Sequence, residues 1–155
     1  MIRAIAALDD KRGIAANGGI PWNIPEDSRH FRELTERGVV VMGWATYEEF
    51  AAPLLNRRNV VVSRTVQPVR EGFELLVDVE SFLRDAPEDT WIIGGGALFA
   101  STLQFCEELH LTHVQGDFDC DRFFPDFMGR FRLKDQTDWQ SSGDYTYRFS
   151  TYERQ

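Results

Sequence analysis

Two rhythms of apolar residues run along this chain. Unbroken runs rich in β-branched residues, at Ile2–Leu8, Val39–Gly43, 59–63, 73–77 and 90–93, predict strands buried on both faces. Between them the spacing becomes helical. Residues 25–36 open with Pro25, place Phe31 and Leu34 on one face and stop at Gly38, which predicts a helix with proline at its start and glycine past its end. Short helices are expected at 46–50, at Val79–Arg84 and directly after Gly94, Gly95 and Gly96. This alternation specifies a mainly parallel sheet with crossover helices. From Glu108 onward the pattern changes, because 109–114, 130–134 and 145–152 read as strands with no helix between them. The predicted fold is therefore a single-domain α/β protein with a central mixed sheet, mainly parallel, antiparallel strands at its C-terminal end and helices at its flanks. The segment 9–23 reads as a glycine-containing loop, long enough to suggest a function of its own.

At 155 residues the chain is expected to form one domain, 1–155, that buries about two thirds of its unfolded surface. A net charge of −8 argues against nonspecific nucleic-acid binding, which needs a basic surface. No apolar stretch approaches a membrane span and the first residues lack a signal-peptide pattern, so a soluble cytoplasmic protein is expected. Cys106 and Cys120 do not form a CxxC pair, and His30, His110 and His113 complete no zinc pattern with them; no metal is expected. In so acidic a chain, anionic ligands need local arginines. Arg57 with Arg58, and Arg64, lie beside strand-like runs, although the same residues also suit ordinary solvated surface.

Two segments carry candidate chemistry. Asp27 falls in the first turn of the predicted helix, where a carboxylate favours the helix dipole with no further role. The alternative is a buried acid, its pKa raised by an apolar groove, that draws a proton onto a heteroaromatic ring. The second segment, Trp91 to Phe99, runs from a buried strand through three glycines into a helix, which is how phosphate sites are built. Its glycines do not form a G-x-G-x-x-G fingerprint, and a tight strand-to-helix turn would also explain them. Ligands of an open α/β sheet lie outside the carboxyl ends of its parallel strands, so 43–46, 63–64 and 94–99 should converge on one crevice and suit a dinucleotide.

Taken together the residues resemble dihydrofolate reductase nearly from end to end. The resemblance rests on Ile5-Ala6-Ala7, Ile20-Pro21-Trp22-Asn23-Ile24-Pro25-Glu26-Asp27, Val41-Met42-Gly43 with Thr46-Tyr47-Glu48, Arg57-Arg58-Asn59, Ile92-Ile93-Gly94-Gly95-Gly96, Leu111-Thr112-His113 and Phe124-Pro125, in the family's order and near its spacing. It implies hydride transfer from NADPH to C6 of 7,8-dihydrofolate and protonation at N5, giving tetrahydrofolate for one-carbon and thymidylate metabolism. It further implies antifolate small molecules as ligands and a monomer that binds neither nucleic acid nor membrane.

By the same resemblance Asp27, aided by Thr112, holds the pterin edge, and a water admitted near Ile20 and Trp22 carries the proton. Ile5, Ala7, Ser28, Phe31, Phe50, Leu54 and Ile93 would complete the substrate site, and Arg57 would grip the glutamate α-carboxylate. The cofactor would meet Ala7, Ile14, Gly19 and Ile20 from the lid side, Gly43, Trp44, Ala45 and Thr46 after one strand, and Ser63 and Arg64 after another. Ile93, Gly95, Gly96, Ala97, Leu98 and Phe99 would complete its site. The 9–24 segment resembles the family's mobile lid, with Asp121 accepting hydrogen bonds from its backbone.

This chain departs from the family pattern at several positions. Trp44 replaces an arginine that binds the 2′-phosphate, leaving Arg64 for that task, with the indole free to stack on adenine or on Arg64; Ala97 replaces a second frequent arginine. Phe99 stands for a tyrosine, Cys120 for a glycine and Ser28 for an apolar residue. Two other readings are a reductase of riboflavin synthesis with the same fold, and a folate- or nucleotide-binding protein without turnover. The segment from Pro21 to Asp27 together with Arg57 favours folate over the first, and retention of Asp27 and the glycines favours catalysis over the second.

Overall fold

The computed structural model describes residues 1–86 and 88–155. In chain order the elements are β1 (Ile2–Leu8), β2 (Gly13–Ala15), α1 (Pro25–Thr35), β3 (Val39–Gly43), α2 (Trp44–Glu49), β4 (Arg58–Val62), β5 (Phe73–Leu76), α3 (Val79–Arg84), β6 (Thr90–Gly94) and α4 (Gly96–Thr102). A 3-10 turn at Leu103–Phe105 follows, then β7 (Glu108–Val114), β8 (Arg122–Phe123), β9 (Phe131–Gln136), β10 (Gln140–Ser142) and β11 (Tyr145–Arg154). One sheet takes the order β10-β11-β7-β1-β6-β3-β4-β5, and β9 pairs with β11 beside that path. The β1–β6, β1–β7, β3–β6, β3–β4 and β4–β5 pairs are parallel, whereas β11 runs antiparallel to β7, β9 and β10. The predicted sheet class is the one observed.

The period of two along each strand sorts the core into two layers. Val39 and Val41 of β3 join one cluster with Ile92, Leu98, Phe99 and Leu83, so α3 and α4 pack on that face. Val40 and Met42 turn the other way and meet Ile5, Trp91, Tyr47, Phe31 and Leu34, so α1 and α2 cover the second face. The three valines at 39, 40 and 41 are fully buried, and each contributes on the order of 2 kcal/mol.

A buried carboxylate fastens β1 to β7. Arg3 and Glu108 are partners in register, and Arg3 Nε, His110 Nε2 and Lys134 Nζ each lie 3.0 Å from a Glu108 oxygen. Burial pushes the Glu108 pKa up, but these three contacts overcome it and hold the carboxyl down at about 2.

Several boundaries differ from those expected. Residues 9–23 are not wholly irregular, since β2 pairs antiparallel with β8, and Ala16 bridges Gly19. Gly13 makes that approach possible: a Cβ there would lie 2.4 Å from Cys120 Cβ. The helix after β3 starts at Trp44, two residues earlier than predicted, because Gly43 already ends the strand in extended conformation. β9 starts and ends later than predicted, β11 is longer with a register shift at Thr151/Tyr152, and β10 was not predicted at all. No helix among the described residues is long and apolar enough to cross a membrane.

Candidate active site

The site begins with the segment that delivers α1 to the sheet. Trp22 and Ile24 are buried with Val114 and Tyr147, and the Trp22 ring meets Phe118 edge-on at 5.2 Å. Pro25 then starts the helix without needing a backbone donor, and the Asp27 amide closes onto the Ile24 carbonyl at 3.0 Å. Asp27 is thereby set over β7, where Thr112 Oγ1 donates to its Oδ1 at 2.6 Å. Thr112 is buried, in register with Ala7 of β1. Burial raises the Asp27 pKa above the usual carboxylate range, and the Thr112 hydrogen bond pulls the other way. One turn later His30 stacks on Phe149 at 3.9 Å. The half-buried Asp27 side chain is therefore largely shielded from open water.

Apolar walls extend from this acid. The half-buried Phe31, Phe50, Leu54 and Ile93 pack in one cluster with buried Ile5. Leu54 is held by Asn59, which accepts from its amide at 3.0 Å and donates to its carbonyl at 3.0 Å. Beyond the walls lies Arg57. Its Nε donates to Thr35 Oγ1 at 2.9 Å, one Nη donates to the Arg32 carbonyl at 2.7 Å and the other to the Leu55 carbonyl. An arginine has five N–H donors, so one remains on each terminal nitrogen, the number a bidentate carboxylate pair uses. Ser28 is exposed, and Ala7 sits half-buried beside the Trp22 cluster.

A second region adjoins the first through β3 and β6. A Cβ on Gly43 would lie 3.6 Å from Gly94 O and Gly95 N, and one on Gly95 would lie 3.8 Å from Thr46 Oγ1. Gly94 has φ +120, a conformation that favours glycine, and the Gly94–Gly95 peptide is cis. Backbone therefore lies bare between the two strand ends. Gly96 is tighter, because a Cβ there would approach Phe123 O at 2.9 Å and Ile14 Cδ1 at 3.9 Å. The glycine turn thus touches both halves of the β2–β8 ribbon.

The loop of residues 9–23 is pinned at two points. Asp9, buried, accepts from the amides of Lys11, Gly13 and Phe118 at 2.9, 2.7 and 3.1 Å. Farther along, Asp121 donates its amide to Ala15 O at 2.9 Å and accepts from the Asn17 amide at 3.3 Å.

Some expected site residues are exposed, and others are turned into the core. Ile20 of that loop is 66% exposed, and Gly19, Ala45, Arg64 and Ala97 are also exposed. Leu98 and Phe99 are buried in the core, with Phe99 packed 4.8 Å from Phe124 and its ring beside Gly94 of the glycine turn. The Ser63 hydroxyl donates to Thr65 O at 2.8 Å and accepts from Gln67 Nε2 at 2.7 Å, so it is already engaged. Trp44 does not stack on Arg64. It tilts against Tyr47 at 4.8 Å, and the Tyr47 hydroxyl is itself held by the Arg70 amide and Nε. The positioning roles of Asn59, Thr35 and Asp9 were missed. A lone asparagine opening a run of valines at 60–62 was the available signal for the first.

Fold and site together define an α/β protein with bare glycine turns at the carboxyl ends of parallel strands, where proteins of this class bind their ligands. Comparison with known proteins specifies it further. The dihydrofolate reductase family model matches residues 1–154. Dihydrofolate reductase type 3 of Salmonella typhimurium is 40% identical over 131 residues, covering 83% of this chain and 80% of the relative. The Mycobacterium tuberculosis (strain H37Rv) dihydrofolate reductase is 42% identical over 117 residues, with 74% and 71% covered. That of Bacillus subtilis is 28% identical over 166 residues, with 99% and 95% covered. A solved structure, dihydrofolate reductase from Enterococcus faecalis complexed with NADP(H) and RAB-propyl, matches with TM-score 0.90 at 28% identity, covering 99% of this chain and 96% of that one. The chain belongs to the dihydrofolate reductase family and is an oxidoreductase of that family.

Proposed function

We propose that the protein reduces 7,8-dihydrofolate to 5,6,7,8-tetrahydrofolate with NADPH, serving one-carbon and thymidylate metabolism, and that Asp27 is the group on which the reaction turns. The observation that carries this reading is the 2.6 Å hydrogen bond from buried Thr112 to the half-buried Asp27 carboxylate. Ionised Asp27 accepts hydrogen bonds from the N3 and 2-amino edge of the pterin, and Thr112 fixes the carboxylate that does so. Holding that edge favours a proton at N5, which arrives through a water between Ile20 and Trp22. Ile5 and Ile93 border the ring, Phe31, Phe50 and Leu54 wall the aminobenzoyl group, and the remaining N–H donors of Arg57 take the glutamate α-carboxylate.

The glycine region fits the cofactor, since a pyrophosphate needs close backbone approach and Gly43 and Gly95 leave the backbone bare there. Thr46 adds a hydroxyl, Arg64 supplies the cation for the 2′-phosphate, and Trp44, braced by Tyr47, offers an aromatic face to adenine. When bound, NADPH supplies the hydride delivered to C6. Ile14, Gly19 and Ile20 of the lid cover that side of the site and exclude water. The Pro21–Asp27 segment and Arg57 have no use in a reductase acting on a ribosylamino-pyrimidine sugar.

The test is direct. Protein mixed with dihydrofolate and NADPH should consume nicotinamide absorbance, and methotrexate should stop it. Binding of both ligands without turnover would favour a non-catalytic folate-binding protein.

A further inference from the structure

The sheet face turned away from Asp27 carries a second cavity, of about 350 Å³. Side chains alternate along β7, so His113 points away from the face on which Thr112 meets Asp27. His113 lines this cavity with Arg148 and Tyr152 of β11, Arg12 of the lid base, and Trp139 and Met128. The volume lies at the small end of the range for small-molecule pockets.

Arg148 is the unusual member. Its guanidinium carbon lies 4.1 Å over the Trp139 ring, and its Nε is the one buried side-chain polar atom without a hydrogen-bond partner among the described residues. Nor does Arg148 join any ion pair among those residues. Burying a guanidinium N–H without an acceptor is costly. An indole face holds the group flat but satisfies none of its donors.

The neighbouring polar groups are engaged elsewhere. His113 Nε2 is 2.9 Å from the Tyr152 hydroxyl, and burial, reinforced by Arg148, keeps its pKa below the ordinary value, so the imidazole is neutral at pH 7. Arg12 donates to Phe124 O at 2.7 Å. Two acids also border the cavity, but Asp9 is taken up by three backbone amides and Asp10 accepts from the Gly116 amide at 3.0 Å. The rim is apolar and open, with Trp139 40% and Met128 68% exposed.

An unengaged planar cation with a second arginine nearby, two acids already held by backbone amides, and exposed apolar side chains around a small volume suit one chemistry. We propose that this cavity binds a small aromatic carboxylate, its carboxylate paired with Arg148 and its ring packed against Met128 and Tyr152.

The test is an NMR titration of the labelled full chain with indole-3-acetate, with neutral indole-3-acetamide as the comparison. Saturable shifts should map to the Trp139 indole N–H and to the amides of Arg148 and Tyr152. Both the acetamide and the Arg148→Gln variant should bind roughly tenfold or more weakly, the loss of a charged hydrogen-bonded pair. Arg148→Lys, which keeps the charge and loses the fork, should also bind more weakly, and provides the test if the glutamine variant does not fold. Arg57→Gln should leave these shifts in place. The proposal is overturned by no saturable shift, by shifts confined to the Trp22 and Phe31 groove, by equal affinity for acid and amide, or by folded Arg148 variants with wild-type affinity.

Discussion

Replacing Glu108 by Gln removes the charge that fastens β1 to β7, the strand that carries Thr112. The carboxyl is held at about 2 against an ordinary 4.5, and that difference corresponds to at most about 3 kcal/mol of stability at neutral pH. Two facts reduce it. The Lys134 side chain is 51% exposed, so its attraction is screened. His110 is largely neutral at pH 7, because burial outweighs Glu108 and lowers its pKa. Arg3, 3.0 Å away and mostly covered, is the principal cation, which leaves an expected loss of about 2 kcal/mol for Glu108→Gln. The folded pKa is depressed, so the contribution is complete above the unfolded value of 4.5 and is lost as pH falls through the folded value near 2. Urea unfolding should therefore show wild type and variant about 2 kcal/mol apart near pH 7, a gap that narrows below about pH 4.5 and closes only toward about pH 2. Equal stabilities at neutral pH, or a gap that ignores acid, would refute the reasoning.

Other consequences follow from the site. Thr112→Val deletes the hydroxyl that donates to Asp27 at 2.6 Å, so the Asp27 pKa should rise further and kcat/KM near neutral pH should fall about tenfold, since hydrogen bonds to charged groups contribute roughly 1.5–3 kcal/mol. An acid limb of the pH profile that stays in place would contradict this. Gly96→Ala puts a methyl 2.9 Å from Phe123 O, so β8 must move; thermal melts should show a loss of about 1–3 kcal/mol, with weaker NADPH binding. An unchanged melt would mean that the turn has slack. Arg64→Ala should weaken NADPH binding more than NADH binding in a titration, and equal losses would remove Arg64 from the 2′-phosphate.

The parts of the fold that could be read in advance are those where one chemical signal repeats. Val39, Val40 and Val41 are buried whichever way the strand faces, and Pro25 opens α1 by backbone chemistry alone, whereas the helix already ends at Thr35 and Arg37, not Gly38, takes the left-handed conformation after it. The β2–β8 ribbon offered no such repeat, because its two short strands pair only Gly13 with Phe123 and Ala15 with Arg122, beside a close approach of Gly13 to Cys120. β10 is Gln140–Ser142, wholly polar, and exists because β11 offers it an edge. The same division holds in the site. Asp27 and the glycines stand out by residue type and place, whereas Thr35 and Asn59 act through Arg57 and Leu54, partners that only the folded chain brings near. The burial of Leu98 and Phe99 depends on which face of α4 turns inward, and a seven-residue helix gives too short a period to decide that.

Asp27→Asn addresses the central claim most directly, with the rate of hydride transfer followed in a single turnover from acid to alkaline pH. Its folded pKa is raised, so ionised Asp27 costs stability at neutral pH, and the asparagine variant should be no less stable than wild type. A lost rate then cannot be blamed on unfolding. The account predicts that the variant falls further behind wild type as pH rises and substrate already protonated in solution becomes scarce. A variant that keeps the wild-type rate at every pH, or lags by the same factor throughout, would show that this carboxylate does not govern the proton.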